Sequence, residues 1–279
     1  MPPPPAARRP RRRWWLTGVV VAWALLLAGL AVWSVRHDPP TVPEQRDIAD
    51  ALPVLQRATG FTLAAADATD RTVTLGELTF DRDCALTPVR KGVEATREIT
   101  VRVQPGQVPG ALRDIARALP AEYAATARHN QADTRYGLRA DAGEFVSVDT
   151  TADSDATVFT LLVSTGCRPV AAGVDLDPAP RAATEMPPAF TAAVRALPAT
   201  AVRATTTEVT CPSGGTARTV TADDLTAPAD LGRALRDAVA GDVVVQAEPH
   251  AWAYRAGDVS VVVSDSEGRA RVAATTGCR

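Results

Sequence analysis

The sequence predicts an α+β protein: an N-terminal transmembrane helix followed by two homologous antiparallel-sheet-plus-helix domains, each closed by a disulfide. Three observations predict it. Residues 14–35 form an apolar run without a charge. Beyond it, a set of short sequence marks occurs twice in the same order. The four cysteines divide two and two between the copies that those marks define.

The apolar run reads WWLTGVVVAWALLLAGLAVWSV. As a helix it is about 33 Å long at 1.5 Å per residue, enough for a hydrocarbon core of about 30 Å. Trp14, Trp15 and Trp33 sit at its ends, where amphipathic rings favour the membrane interface. Arg8, Arg9, Arg11, Arg12 and Arg13 precede it with no acid among them. By the positive-inside rule the N-terminus is cytoplasmic and residues 36–279 are extracytoplasmic, which makes the protein a single-pass component of the cell membrane. The run is longer than the roughly 7–15 residues of a signal-peptide core and lacks a small-x-small cleavage site, so the expectation is an uncleaved anchor with the lipid bilayer as its first partner. Residues 1–13, MPPPPAARRPRRR, are expected to be a disordered cytoplasmic tail. Residues 36–43 are expected to be a linker.

The duplication rests on order. Ser164–Thr165–Gly166–Cys167–Arg168 is answered by Thr275–Thr276–Gly277–Cys278–Arg279. Ala111–Leu112–Arg113–Asp114 recurs as Ala234–Leu235–Arg236–Asp237. Gly143–Glu144–Phe145–Val146–Ser147–Val148 resembles Gly257–Asp258–Val259–Ser260–Val261 with one deletion, and Cys84 and Cys211 each precede the ALRD segment. Internal similarity at this scale signals repeated supersecondary units. The expected repeat domains are 44–173 and 186–279, joined by a linker over 174–185 where Pro, Ala and charge replace apolar alternation.

Within the first copy, Ile48, Leu52 and Leu55 make a helical stripe, with Pro53 expected to kink or restart it. Strands follow by period-two alternation at about 71–80 and 97–103. A helix carries Leu112, Ile115, Ala116 and Leu119 and stops at Pro120. Further strands fall near 123–129, 144–150 and 157–165. The second copy repeats the scheme. A helix carries Phe190, Val194 and Leu197, and strands lie near 202–210 and 216–222. A helix carries Leu231, Leu235, Ala238 and Val239, capped by Asp230, and strands follow near 243–248, 258–264 and 269–276. Each copy thus reads α-β-β-α-β-β-β, a sheet covered on one face by helices.

Four cysteines allow three pairings. In an oxidising compartment the duplication selects Cys84–Cys167 and Cys211–Cys278. Each closure contributes up to roughly 4 kcal/mol in the chain-entropy model, a large share for cores with only 5% aromatic residues.

Composition and motifs exclude more than they assign. The net charge is −2, and since residues 1–13 carry +5, the rest of the chain stands at −7. An acidic exterior repels phosphate backbones, so nucleic acid is not an expected partner. There is no CxxC, HExxH, GxSxG or phosphate-binding glycine loop. Asp149, Asp153 and Asp155 lack the glycine and glutamate of a calcium loop. Neither a catalytic residue, a metal site nor a cofactor is expected. His129 and His250 are candidates for a shared ligand or pH-responsive site, because each follows its ALRD segment and precedes a tyrosine, Tyr136 and Tyr254. The functional expectation is a non-enzymatic cell-envelope binding or interaction module, with an envelope protein or small ligand as partner. The alternative is a membrane-anchored hydrolase whose carboxylates converge only in the fold.

Overall fold

The computed structural model describes residues 11–37, 46–87, 90–170, 173–199 and 202–278. The expected tail residues 1–10 and the linker from residue 38 onward lie outside the described residues. The chain forms two compact units, residues 1–42 and 43–279.

The first unit is one helix, α1 (Arg11–His37). Its segment Trp14–Trp33 has a mean hydropathy of 2.2, none of it is buried, and it is long and apolar enough to cross a membrane. Trp14, Trp15 and Trp33 are all exposed. Arg11, Arg12 and Arg13 form the first turn of this helix.

The second unit is mixed α+β with antiparallel sheets and two disulfides. It opens with α2 (Ile48–Ala66), where the Asp47 carboxylate accepts from the Asp50 amide at 3.2 Å and caps the N-terminus. The helix continues through Pro53, and its second half, ATGFTLAAA, is uncharged because it is buried. The Thr59 and Thr62 hydroxyls donate to the carbonyls of Leu55 and Ala58, at 2.7 and 2.8 Å, which satisfies both inside the core.

Then come β1 (Thr72–Asp81), the short pair β2 (Ala85–Thr87) and β3 (Arg90–Lys91), and β4 (Val93–Arg102). Helix α3 (Val108–Ala118) has Pro109 in its first turn and ends before Pro120, as proline's missing N–H dictates. Strands β5 (Thr126–His129), β6 (Arg135–Asp141), β7 (Ser147–Asp153) and β8 (Val158–Arg168) complete a six-stranded sheet of order β1-β4-β8-β7-β6-β5.

The strand β9 (Arg181–Ala182) is followed by α4 (Pro188–Arg195), β10 (Ala204–Thr210), β11 (Thr216–Thr226) and α5 (Leu231–Leu235). Then follow β12 (Val243–Glu248), β13 (Ala251–Ala256), β14 (Val259–Ser266) and β15 (Arg269–Thr276). These seven strands form a sheet of order β12-β13-β14-β15-β11-β10-β9.

Several features depart from the sequence expectation, among them the short strands β2, β3 and β9. Strands β6 and β13 are additional: β6 buries Leu138 and Ala140 but carries Arg135, Arg139 and Asp141 on its other side, and β13 has no exposed residue to alternate with its buried ones. Helix α5 is only five residues long. Asp230 caps it as expected, accepting from the Arg233 amide at 2.9 Å, but Ala238 and Val239 lie beyond its end.

Each sheet carries its helices on one face. In the first, α2 and α3 cover Ile99, Val101, Leu161 and Val163, while Glu98, Thr100 and Arg102 alternate to the opposite, helix-free face. In the second, Phe190 of α4 and Leu231 and Leu235 of α5 cover Val261, Val263, Val272 and Ala274. The other face of that sheet is buried too, at Ser260, Ala273 and Thr275. What buries it is the first sheet.

Candidate functional site

Strand β1 is the edge of the first sheet, and an edge strand exposes unpaired backbone groups. Here they are met by hydroxyls from the face of the second sheet. Val73 N–H donates to Ser260 Oγ at 3.0 Å and Leu75 N–H to Thr219 Oγ1 at 3.1 Å. Thr207 Oγ1 donates to the Leu75 carbonyl at 3.1 Å. These hydroxyls sit on β14, β11 and β10, so two residues of β1 span most of the width of the second sheet. The packing is edge to face.

Helix α2 closes one side of this seam. Gly60 lies so close to the Thr210 carbonyl that a Cβ has no room. At its C-terminal end Asp67 pairs with Arg255 of β13, and Arg255 also donates to Ser260 Oγ at 3.0 Å and to the Asp258 carbonyl at 3.2 Å. Asp67 in turn packs on Gly277, where again no Cβ fits. The Cys211–Cys278 disulfide is at the same seam, with Cys278 Sγ 3.9 Å from the Gly60 carbonyl. Cys84–Cys167 lies within the first sheet.

Two clefts flank β1. On the helix-free side, a cleft of about 350 Å³ is lined by Thr74, Glu98, Thr100 and Arg102 with Ser264 and Arg271 opposite. Arg102 Nε is buried there without a hydrogen-bond partner among the described residues. Burial holds the Arg102 pKa below its usual value; Glu248 opposes that shift and Arg271 adds to it.

On the α2 side, a cleft of about 300 Å³ is lined by Gln56, Glu77, Leu78, Arg97, residues 178–181, and Thr206, Thr207 and Glu208. Arg97 is 4% exposed. It stands beside a bulge in the β1–β4 ladder, between Leu75 and Leu78, that frees the Gly76 carbonyl. Arg97 Nε donates to that carbonyl at 3.1 Å and Nη1 to Gln56 Oε1 at 3.0 Å. No carboxylate pairs with it among the described residues, and burial lowers its pKa to about 10. Thr206 also lines this cleft, but its hydroxyl lies on the face of the second sheet shared with Val220, where it has no hydrogen-bond partner among the described residues.

A third cleft, of about 380 Å³, lies within the first sheet, lined by Tyr123, Arg128, Arg139 and Phe145 among others. Gly143, Glu144 and Phe145 all have positive φ, and Phe145 is exposed. The buried Arg168 guanidinium holds the Glu144 carbonyl, and Arg46 holds the Glu144 carboxylate at 2.6 Å.

The candidate histidines are not brought together. His129 ends β5 in the first sheet, and His250 lies in the β12–β13 turn of the second. Both are exposed, and each has Nδ1 2.7 Å from a carboxylate, Asp133 and Asp265 respectively. Among the described residues no cluster of three or more His, Cys, Asp or Glu is placed to hold a metal.

Sequence reasoning missed Arg97, although the signal is present. In VEATREITVR, residue 97 falls two before Ile99 and so shares the inward register of Ala95, Ile99 and Val101. A charge at an inward position is the informative departure.

No protein-family model matches the chain, and no curated protein matches its sequence. Among solved structures, a DUF4853-family protein from Actinomyces odontolyticus is similar over 65% of this chain and 96% of its own, at 18% identity and a TM-score of 0.34. The di-domain ARO/CYC protein BexL is similar over 81% of this chain and 80% of its own, at 10% identity and a TM-score of 0.15. At such TM-scores neither likeness bears on the fold or function of this chain.

Proposed function

We propose that residues 43–279 are an extracytoplasmic binding module, held at the cell membrane by α1 with the N-terminus inside, and that its ligand or protein partner sits in the seam between two copies of one α+β unit. The observation that carries the reading is Arg97, a buried guanidinium with no counter-ion among the described residues, on the wall of a seam cleft. Buried charges cost several kcal/mol unless paired, and small-molecule sites favour the junctions between packed units.

What supports two copies is topology. Matched in sequence, β1-β4-β8-β7-β6-β5 and β10-β11-β15-β14-β13-β12 are one strand order. A helix precedes the first strand of each set and another lies between its second and third. In each, a cysteine just after the first strand bonds to one at or just beyond the last. The five arginines ahead of the apolar run and the disulfide closure both support an exterior placement.

The test is proximity labelling in the native cell from an enzyme fused at the C-terminus, with wild type compared against Ala179→Trp. Ala179 is an exposed lining residue, so tryptophan fills the cleft without entering the core. Selective loss of labelled partners in the variant supports the reading. A cytosolic C-terminal reporter, or the same partners for both proteins, overturns it.

The hydrolase alternative rests on Glu77 and Glu208, which line the same cleft. It predicts turnover of envelope fragments by the purified chain that Glu77→Gln abolishes.

A further inference from the structure

Among the described residues of the second unit, five large apolar side chains are exposed: Phe145, Val158, Val170, Met186 and Val243. Single apolar residues on a surface are ordinary. Two of these five, however, flank the start of the unit, whose first described residue is Arg46. Arg46 holds the Glu144 carboxylate at 2.6 Å, next to Phe145. The Ile48 amide donates to the Pro169 carbonyl at 3.0 Å, next to Val170.

Phe145 is displayed against its backbone preference. A bulky residue with positive φ is an outlier, yet Glu144 and Phe145 stand at φ 53° and 59°. The loop around them is fixed. Val146 N–H donates to the Gly143 carbonyl at 3.0 Å and Ala142 N–H to the Val146 carbonyl at 2.8 Å, while the buried Arg168 guanidinium holds the Glu144 carbonyl. Backbone strain of this kind collects where a side chain serves a ligand or partner. A ring already held outward loses little further freedom on binding.

Basic side chains accompany the apolar pair. Arg128 lines the third cleft beside Phe145. Arg90 and Lys91 form β3, and Gly92 after them packs on the Arg168 carbonyl. All three bases are exposed, and none is in an ion pair among the described residues. Asp141 lines the same cleft, where it accepts from the Gly143 amide at 2.9 Å. Chain length then decides what this surface meets. Residues 38–45 separate α1 from Arg46, and a segment of that length reaches about 30 Å at full extension. A bilayer crossed by α1 is therefore held close to this end of the unit, at high effective concentration.

We infer that the end of the first sheet around Phe145 and Val170 docks on the outer surface of the membrane. Both apolar side chains enter the headgroup region, and Arg90, Lys91 and Arg128 meet lipid phosphates. Aromatic rings and bases favour that depth. The acidic balance of the exterior opposes the approach only weakly, because charges farther away than about 8–10 Å are screened. This rests on α1 being a retained anchor with residues 43–279 outside, and it adds a second membrane contact to that reading.

The experiment uses the full chain, one copy per nanodisc, in mixed phosphatidylcholine and phosphatidylglycerol. A polarity-sensitive fluorophore is placed at Phe145→Cys and, as the control, at Val243→Cys on the far edge strand β12. The label at 145 should emit to the blue of the label at 243 and be quenched by lipids spin-labelled at the headgroup. Val170→Asp and Arg128→Gln, both at exposed positions, should each weaken that quenching. Hydrogen exchange on the chain without added cysteine keeps the test decisive if a free thiol disturbs the disulfides. Amides 142–147 should exchange faster in the Val170→Asp, Arg128→Gln double variant than in wild type, with 243–248 unchanged.

A label at 145 as water-exposed as that at 243 overturns the inference. So does quenching at 145 that neither variant weakens, or exchange at 142–147 that the double variant leaves unchanged. If the docking fails while Ala179→Trp still removes labelled partners, the binding module stands. A cytosolic C-terminal reporter removes both.

Discussion

Asp67 and Arg255 form an ion pair whose side chains are 4% and 2% exposed and whose positions are 188 residues apart. The carboxylate extends from the C-terminal end of α2, and the guanidinium from β13 of the other sheet. Around them Ser260 accepts from both Arg255 and the Val73 amide, so one network ties helix, edge strand and second sheet together. A buried pair of this kind is weak in net terms but costly to halve, since the remaining partner is left charged and desolvated.

Asp67→Ala or Arg255→Ala alone should therefore destabilise residues 43–279 by about 3–5 kcal/mol. The double variant Asp67→Leu with Arg255→Met should lose less than either single change. Urea denaturation followed by circular dichroism measures all three, and a double-variant loss equal to the sum of the two single losses would show that the pair does not act as a unit.

Glycines at the seam and within the first sheet should fail for different reasons. Gly60→Ala drives a methyl into the Thr210 carbonyl, an overpacking cost of about 1–3 kcal/mol. A methyl on Gly166 would meet nothing within 4 Å, but that residue sits at φ +62°, so Gly166→Ala costs only the left-handed backbone penalty, about 1 kcal/mol. Denaturation midpoints of the two variants should rank accordingly.

The two disulfides close similar separations, 83 and 67 residues, so chain entropy alone makes their removal nearly equal at roughly 4 kcal/mol. Cys211 and Cys278 also pack in the core that spans the seam. Replacing Cys211 and Cys278 by alanine should therefore cost more than replacing Cys84 and Cys167. Melting temperatures of the two double variants, measured under non-reducing conditions, decide the order.

Tyr254 is fully buried, its hydroxyl has no hydrogen-bond partner among the described residues, and burial, reinforced by Asp242, pushes its pKa up to about 12. Because the folded value is raised above 10, the stabilising contribution of the neutral phenol is complete below pH 10 and is lost as pH climbs towards 12. Tyr254→Phe should leave stability at neutral pH unchanged or slightly higher, since it removes an unpaired buried group. It should also flatten the decline between pH 10 and 12, as read by denaturation at stepped pH.

Much of the secondary structure is legible locally. Alternation in EITVR reports one buried face, and the apolar helix is a property of twenty-odd consecutive residues. Strands β6 and β13 are not, because β6 sets a short apolar series against a charged face and β13 is covered on both faces, so neither gives much period-two contrast. Helix α5 is shorter than its apolar stripe: the stripe continues past Leu235, but the chain turns after it and reaches Gly241 at φ +89°.

The sequence by itself determined the apolar N-terminal helix, the main strands, and a pairing of cysteines that the structure contains. These depend on composition and period over a few residues, or on order along the chain. The seam was decided only by tertiary structure. Leu75 meeting Thr219, Asp67 meeting Arg255, and Arg97 and Thr206 sharing one cleft depend on which edge lies on which face, and contacts across 109 to 188 residues leave no periodic trace in the chain.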